Sequence, residues 1–368
     1  MVVESSTHKF PSHVFNMLET MEHEQVVFIH DAELGLRGII GIHDTTLGPA
    51  LGGCRIWQYA SESDALWDVL RLSRGMTYKS SISGINLGGG KAVIMANPDI
   101  RRDEKFWRRY GQFVEGLNGR YITAEDVGTS TEVMRHVMKE TKYVTGKPVE
   151  AGGAGDPSPF TAYGVYLGIK ASVKHAYGRD TLGGVKVAVQ GVGHVGYYLV
   201  ERLTREGARV FAADIKPQHL DRVVKEFNAI PVDADEIYDT DADVYAPCAL
   251  GATVNDDTIQ RLKCQIIAGA ANNQLADENR HGQWLKEKGI LYAPDFLINA
   301  GGVINCYREL HQLTENETMQ LIEAIYDRTL QVYHLAAEQN VTTHEAAMHI
   351  ARERIRKAKA THQNTTSL

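Results

Sequence analysis

The chain has 368 residues, of which 43% are hydrophobic and 23% charged, and its formal net charge is -7. This length indicates two domains, and the composition is that of a globular protein with a substantial core. The acidic balance, without any block of Lys and Arg, argues against a nucleic-acid-binding surface. No apolar stretch approaches the length of a membrane helix and the N-terminus lacks a signal-peptide pattern, so we expect no membrane association.

The cysteines and histidines bear on cellular location and on metal binding. The four cysteines are scattered and form no CxxC pair, which favours a reducing, cytoplasmic location. None of the 15 histidines belongs to an HExxH motif. We therefore expect neither a structural nor a catalytic metal ion.

In chain order, residues 1 to about 15 indicate a loose terminal segment followed by a helix. Ser61 is typical of a helix N-cap, because Asp64 follows three residues later and apolar residues then recur at helical spacing. A further helix is predicted at about residues 104–117. Strands are predicted at residues 26–30 and 37–43, paired across a polar turn, and at residues 92–95 and 120–123.

The segment 151–159 contains too much Gly and Pro for regular structure and is the best candidate for a hinge between domains. From about residue 160 to 305, helical and strand patterns alternate, as in a doubly wound parallel sheet. The chain is again helical after Tyr307, and a final helix begins near Thr342 or Thr343. Strands in this half are predicted near residues 185–189, 209–213, 243–245, 265–268 and 290–292.

These patterns predict an α/β protein of two domains with a cleft between them. An N-terminal α/β domain is expected over residues 1–147, completed by C-terminal helices at about 331–368. A Rossmann-type, doubly wound dinucleotide-binding domain is expected over residues 148–330.

The dinucleotide prediction depends on the run Gly191-Val192-Gly193-His194-Val195-Gly196. A short apolar strand precedes this run, a helical pattern follows it, and the next strand ends at Asp214. In such a fingerprint the first Gly permits a tight turn, the second lets backbone approach a pyrophosphate, and the third lets the helix close on the strand. The alternative is an ordinary βαβ turn that binds no ligand.

Three charged residues elsewhere are candidates for chemistry. Lys91 follows three glycines and precedes an apolar strand, where desolvation lowers the pKa of an amine toward use as a general base. It is not part of a phosphate-binding P-loop, because Ile85 and Ala92 stand where the motif needs Gly and Ser or Thr. Lys79 and Asp126 are the other two candidates. The alternatives are surface charges for the lysines and a helix N-cap for Asp126.

Several segments of the chain together resemble the glutamate/leucine/phenylalanine/valine dehydrogenase family, and within it the leucine-oxidising branch. The resemblance runs in register from about residue 17 to beyond 350. It implies NAD-dependent oxidative deamination of an L-amino acid to a 2-oxo acid and ammonia. The segments that carry it are 44–55, 74–79, 87–93, 125–129, 155–162, 270–275 and 293–302.

The resemblance also implies roles for the three charged residues. Lys79 is expected to hold the substrate α-carboxylate, Lys91 to activate the attacking water as the base, and Asp126 to handle the amino group and its protons. Asn272 matches a further carboxylate-binding residue, and the backbone at Gly52-Gly53 matches the lining of the same pocket.

On the cofactor side, Thr161 matches a residue that hydrogen-bonds the nicotinamide carboxamide, and Asn273 and Asn299 match residues near the nicotinamide ribose and ring. Asp214 is expected to accept from the ribose 2′-hydroxyl. Because a carboxylate repels a 2′-phosphate, we predict NAD rather than NADP, with Lys216 as a mild counterweight.

The resemblance assigns substrate choice to side chains that in this sequence are uncharged and mostly apolar, which disfavours glutamate. They predict branched-chain aliphatic substrates, namely leucine, valine and isoleucine. Phenylalanine or tryptophan oxidation by the same mechanism is the first alternative, and a non-catalytic NAD-binding sensor is a remote one. The family forms homo-oligomers, typically octamers, and the resemblance assigns substrate binding and oligomerisation to the domain at residues 1–147. The pocket residues are Leu51, Met76, Ala124, Val303 and Cys306.

Overall fold

The computed structural model describes residues 14–97 and 102–366, with side chains to residue 362. The loose segment predicted at the N-terminus lies largely outside these residues. The strands are β1 Gln25–Asp31, β2 Leu36–Asp44, β3 Ala50–Trp57, β4 Gly88–Met95, β5 Tyr121–Glu125, β6 Lys186–Gln190, β7 Arg209–Ala213, β8 Ile230–Pro231, β9 Val244–Pro247, β10 Ile266–Ile267 and β11 Leu291–Tyr292.

The helices account for most of the remaining regular structure. They are α1 Val14–Met21, α2 Glu62–Ile82, α3 Glu104–Glu115, α4 Thr131–Val137, α5 Ser158–Tyr177, α6 His194–Arg205, α7 Pro217–Phe227, α8 Thr258–Arg261, α9 Glu278–Glu287, α10 Asp295–Ile298, α11 Gly301–His311, α12 Glu315–Gln339 and α13 Thr343–Thr366.

The chain forms two compact units. Unit 1 comprises Met1–Gly155, Cys306–Gln312 and Arg352–Leu368, and unit 2 comprises Asp156–Asn305 and Leu313–Ala351. This division differs from the predicted boundaries. Residues 331–351, expected to complete the N-terminal domain, group with unit 2, whereas residues 148–155 and 306–312 group with unit 1. Helix α12 packs along α5, and the hydroxyls of Ser172 and Tyr333 share a buried hydrogen bond of 2.6 Å.

Unit 1 contains a five-stranded sheet in the order β1-β2-β4-β3-β5. The predicted pairing of β1 with β2 is observed and is antiparallel, whereas β3 lies parallel to both β4 and β5. Strand β3 was not predicted from the sequence. Ser61 caps α2 as expected, its side chain accepting from the Asp64 N–H.

The two faces of the unit 1 sheet differ in chemistry. Side chains alternate along a strand, so Cys54 on β3 and Ala92 on β4 share one face. This face packs against α3 through Phe106 and Tyr110, which are fully buried. Helix α2 covers the other face, which carries the charged residues described below.

Unit 2 contains a six-stranded sheet in the order β11-β10-β9-β6-β7-β8, and its pairings are all parallel. The predicted strands of this half are all present, to within two residues at each end, and β8 is additional. The sheet is that of a Rossmann-type fold, in which ligands bind at the carboxyl ends of the strands. The two-domain α/β prediction is confirmed.

Two histidines lie under α2 in unit 1. The ring of His23 contacts that of His43 with centroids 4.8 Å apart, and His43 shares a hydrogen bond of 2.8 Å with Thr77 Oγ1. Burial, aided by the charge of Arg74, lowers the pKa of His43 to about 4. Burial and His43 lower the pKa of His23 to about 3. Both rings are therefore neutral in the folded chain at pH 7.

This pair predicts acid sensitivity. In the unfolded chain both histidines take up protons below pH 6.5, whereas the folded chain resists protonation until about pH 4, so stability falls between these values. We expect the melting temperature of His43→Asn to decline less between pH 6.5 and 4.5 than that of the parent. The exposed His349 provides the control variant, His349→Asn. Parallel declines in all three proteins would contradict the prediction.

Candidate active site

Lys91 is buried in the sheet of unit 1. Its side chain is 7% exposed, and its Nζ lies 3.1 Å from Oδ2 of Asp126. Burial lowers the pKa of the Lys91 amine, and Arg55 acts in the same direction, against the opposing effect of Asp126. A buried amine with a lowered pKa is the form that general-base catalysis needs. The surface-charge alternative is therefore wrong for Lys91.

Asp126 follows β5 and does not cap a helix, because the nearest helix, α4, is capped by Ser130. The Asp126 backbone N–H donates to Thr129 Oγ1 at 2.8 Å. Its carboxylate Oδ2 accepts from Arg55 Nε at 2.9 Å, in addition to the contact with Lys91. Burial alone would raise the pKa of Asp126, but Lys91 and Arg55 outweigh it and hold the pKa below its ordinary value. The carboxylate is thus ionised beside the amine.

The register of three strands explains why these groups meet. Leu51 on β3 lies opposite Gly89 on β4, and Gly53 lies opposite Ala124 on β5. With alternating side chains, Leu51, Arg55, Lys91 and Ala124 point to the face that α2 covers. Leu51 and Ala124 are 1% and 7% exposed. Two predicted pocket residues therefore share a sheet face with Lys91.

Lys79 and Met76 lie in the last turns of α2, and both are half-buried. This end of α2 packs closely on β4, because a Cβ atom at Gly89 would come within 2.2 Å of the Thr77 backbone nitrogen. The predicted carboxylate-binding lysine thus lies on the helix that covers the face of Lys91.

The other predicted pocket residues belong to α11. Val303 is buried and groups with unit 2, whereas Cys306 groups with unit 1. Burial and the nearby Glu309 raise the pKa of the Cys306 thiol to about 12, against a hydrogen bond with Thr145. The thiol is therefore protonated and unreactive, as a wall residue requires.

The glycine fingerprint has the expected strand–turn–helix geometry in unit 2. Gly191 has a φ of +92°, which favours glycine. A Cβ atom at Gly196 would lie 2.0 Å from the Gly191 carbonyl oxygen, so only Gly lets α6 close on β6. At Gly193 the nearest atom to such a Cβ is 4.0 Å away, on His219. The space beside Gly193 is thus open to a ligand. His194 and Val195 begin α6 there.

Asp214 follows β7 and faces the same turn. Its carboxylate accepts from the backbone N–H groups of Val192 and Lys216, both at 2.8 Å. His219 Nδ1 lies 3.5 Å from Oδ2 of Asp214, a neighbour that the sequence analysis did not identify. A carboxylate beside an open, glycine-lined turn fits a ribose and a pyrophosphate.

Three predicted asparagines lie near one another in unit 2. The Asn299 amide nitrogen donates to Asn272 Oδ1 at 2.8 Å and to the Ala270 carbonyl at 3.0 Å. Asn273 is adjacent in sequence and has a φ of +52°. Asn299 Oδ1 is buried and accepts no hydrogen bond within the described part of the chain, so it fits a ligand donor such as an amide or hydroxyl. Thr161 lies apart in sequence, in the first turn of α5, and its hydroxyl donates to the Pro157 carbonyl at 3.0 Å.

Within residues 14–97 and 102–366, no group of three His, Cys, Asp or Glu residues is placed to hold a metal ion. Over the same ranges, none of the helices has the length and apolar character needed to cross a membrane.

Two family profiles match the chain. "Glu/Leu/Phe/Val dehydrogenase, dimerisation domain" matches residues 23–143, and "Glutamate/Leucine/Phenylalanine/Valine dehydrogenase" matches residues 152–217 and 212–363. Leucine dehydrogenase of Thermoactinomyces intermedius is 53% identical over 348 residues, covering 95% of each chain. That of Geobacillus stearothermophilus is 52% identical over 350 residues, covering 94% of this chain and 95% of its own.

Among solved structures, L-tryptophan dehydrogenase from Nostoc punctiforme matches with a TM-score of 0.84 at 46% identity, covering 94% of this chain and 99% of its own. Fold and sequence define an oxidoreductase of the nicotinamide-dinucleotide class. The chain belongs to the Glu/Leu/Phe/Val dehydrogenase family. The resemblance drawn from the sequence is confirmed.

The geometry at Gly193 yields a direct test of ligand approach. An added methyl group meets only open space in the protein, so Gly193→Ala should leave the melting temperature within about 2 °C of the parent. The same methyl would crowd a pyrophosphate, an overpacking cost of about 1–3 kcal/mol, so NADH binding should weaken at least about fivefold. Fluorescence titration with NADH measures this change.

Gly183→Ala is the matched control, because its Cβ would meet only ordinary contacts at 3.6 Å and beyond. Unchanged NADH affinity in Gly193→Ala would show that the phosphates do not pass this residue.

Proposed function

We propose that this protein oxidatively deaminates branched-chain aliphatic L-amino acids to 2-oxo acids and ammonia, with NAD as the oxidant and in a reversible reaction. The observation that carries the proposal is the buried Lys91 amine. Burial lowers its pKa, and its Nζ contacts the Asp126 carboxylate. The leucine dehydrogenases that are 53% and 52% identical over nearly the whole chain support the same reaction and substrate class.

The chemistry in unit 1 requires one fixed cation and one neutral amine. In the proposed roles, Lys79 binds the substrate α-carboxylate as a cation, with Asn272 as a further partner. Loss of a hydride from the substrate α-carbon leaves an iminium ion. Neutral Lys91 then takes a proton from water, whose oxygen bonds to that carbon. Asp126 passes the proton that Lys91 took from water to the nitrogen, so that the C–N bond breaks and ammonia leaves with the electron pair. The hydroxyl group formed from water then gives its proton back to Lys91 and becomes the carbonyl of the 2-oxo acid.

When bound, the dinucleotide would accept the hydride. Unit 2 residues are proposed to hold it: the turn from Gly191 to Gly196 at the pyrophosphate, Asp214 at the adenosine ribose, and Thr161, Asn273 and Asn299 at the nicotinamide end. The Asp214 carboxylate, with 9% of its side chain exposed, disfavours a 2′-phosphate and supports NAD over NADP.

Substrate choice is proposed to depend on Leu51, Met76, Ala124, Val303 and Cys306. None is charged, and a substrate carboxylate buried among them would lack a partner, at a cost of several kcal/mol. Oxidation of phenylalanine or tryptophan by the same mechanism is the second candidate. The solved L-tryptophan dehydrogenase, at 46% identity, is the specific observation in its favour.

The proposal also covers the oligomeric state of the protein and its cellular compartment. The family's dimerisation domain, matched over residues 23–143, supports self-association, and we propose an octamer. The cysteines of the described chain are free thiols, as in a reducing cytoplasm. Unit 1 is proposed to bind substrate and mediate assembly, and unit 2 to bind the dinucleotide.

Lys91→Ala tests the proposed base. Without the amine no group takes the proton from water, so kcat for leucine should fall at least about 100-fold. NADH affinity should remain within about twofold, because the fingerprint belongs to unit 2. Lys139→Ala is the control, since Lys139 is exposed and forms a surface ion pair with Glu104. Turnover within tenfold of the parent would contradict the role of Lys91.

A substrate panel tests the pocket. Pockets discriminate differences of a few methylene groups by about 1–3 kcal/mol each, so kcat/KM for leucine should exceed that for phenylalanine and tryptophan at least about tenfold. NADH formation is followed by absorbance at alkaline pH. A preference for the aromatic substrates would favour the second candidate. NADH binding without turnover on any amino acid would indicate a sensor rather than an enzyme.

A further inference from the structure

A chain of alternating charges leads to Lys91 from the outer side of α2. Arg71 contacts Asp68 at 2.7 Å, Asp68 contacts Arg55 at 3.3 Å, and Arg55 contacts Asp126 at 2.9 Å. Asp126 in turn contacts Lys91 at 3.1 Å. Of the four charged side chains Asp68, Arg55, Asp126 and Lys91, none is more than 23% exposed. Partly buried ion pairs of this kind are weakly screened by solvent.

Among these charged residues, Arg55 connects Asp68 to Asp126. Its Nε donates to Oδ2 of Asp126, the same oxygen that Lys91 contacts. Its other arm, at the terminal guanidinium nitrogen, donates to Asp68. The planar guanidinium fixes the angle between these two directions, which a lysine ammonium cannot do. Asp68 is fixed in turn by the Tyr59 hydroxyl, which donates to it at 2.7 Å.

We propose that Arg55 is a positioning residue that holds the Asp126 carboxylate in place against the Lys91 amine and sets the pH range in which Lys91 acts as a base. Asp68, held by Tyr59, keeps Arg55 in this position. The inference rests on the proposed function, because it assumes that neutral Lys91 is the reactive form.

The direction of the effect follows from the charges around Lys91. The charged groups that act on Lys91 are Arg55 on β3, Asp68 on α2 and Asp126 after β5. The Cys54 thiol of β3 faces α3 and stays protonated, because burial raises its pKa. Beyond burial, Arg55 lowers the pKa of Lys91, whereas Asp126 and Asp68 raise it. Removing Arg55 therefore favours the protonated amine, and removing the charge of Asp68 favours the neutral amine.

These opposite signs provide the test. The kcat/KM for leucine is measured from pH 7 to 11 in the parent, Arg55→Met, Arg55→Lys and Asp68→Asn. We expect the acidic limb of the profile to move up by about one pH unit in Arg55→Met, and to move down in Asp68→Asn. Arg55→Lys should restore the position of the limb in part. Titration of the substrate amino group is common to all four proteins and cancels in the comparison.

Arg109→Met is the matched control, because Arg109 forms an ion pair of the same Nε-to-carboxylate type with Asp31, at 2.8 Å, in the same unit. Its profile should coincide with that of the parent. Limbs that do not move, or that move in the same direction in Arg55→Met and Asp68→Asn, would overturn the proposal. If Arg55→Met fails to fold, the proposal is tested by Arg55→Lys and Asp68→Asn, whose acidic limbs should move in opposite directions.

A second readout does not require turnover. The rate at which acetic anhydride modifies Lys91 in the unliganded protein is followed against pH by peptide mass spectrometry. The midpoint should shift up in Arg55→Met and down in Asp68→Asn, and equal midpoints would overturn the inference. Absence of turnover in the parent, with these shifts intact, would count against the proposed function alone.

Discussion

The structure of unit 1 depends on burying one amine inside a sheet. An isolated ammonium transferred from water to the protein interior carries a penalty of several kcal/mol, even after the surroundings relax. Lys91 avoids this cost in two ways: burial shifts it toward the neutral form, and Asp126 compensates the charge that remains. Asp126 in turn needs a second cation, because its own pKa would otherwise rise on burial. Arg55 meets that need, and the surrounding strands are arranged around these three groups.

The close approach of these groups explains why β3 has glycine at positions 52 and 53. A Cβ atom at Gly53 would lie 2.4 Å from the Glu125 carbonyl oxygen and 2.8 Å from the Asp126 Cβ. Any larger residue would push the carboxylate away from Lys91 and Arg55. A Cβ at Gly52, on the opposite face, would lie 1.6 Å from the Gly90 carbonyl. The glycines that the sequence analysis treated as pocket lining are therefore also required for the strands and the ion pairs to approach.

Local signals in the sequence predicted much of the fold. The fingerprint from Gly191 to Gly196 and the acid at Asp214 lie within one βαβ unit, where residue spacing determines the geometry. Strand β3 was not predicted because it has two glycines near its centre and one β-branched residue, Ile56. The ion pair between Arg55 and Asp126 was not predicted for a different reason. The two residues are 71 positions apart, and no local sequence pattern indicates a pairing over that distance. Likewise, helical periodicity predicted α12, but the buried contact between Tyr333 and Ser172 decides which unit it joins.

The proposed reaction and the proposed substrate choice depend on different kinds of contact. The proposed acid–base groups are joined by ion pairs across β3, β4 and the end of β5, so altering one charge changes the protonation of the others. The proposed specificity residues are apolar and lie on separate elements, with Leu51 and Ala124 on strands, Met76 on α2, and Cys306 on α11. An exchange among apolar side chains alters pocket volume by a methyl group or a ring and leaves the charges unchanged. The charge chain therefore constrains the type of reaction more tightly than the side chain of the amino acid oxidised. This separation is consistent with the chain's similarity both to enzymes named for leucine and to one named for tryptophan.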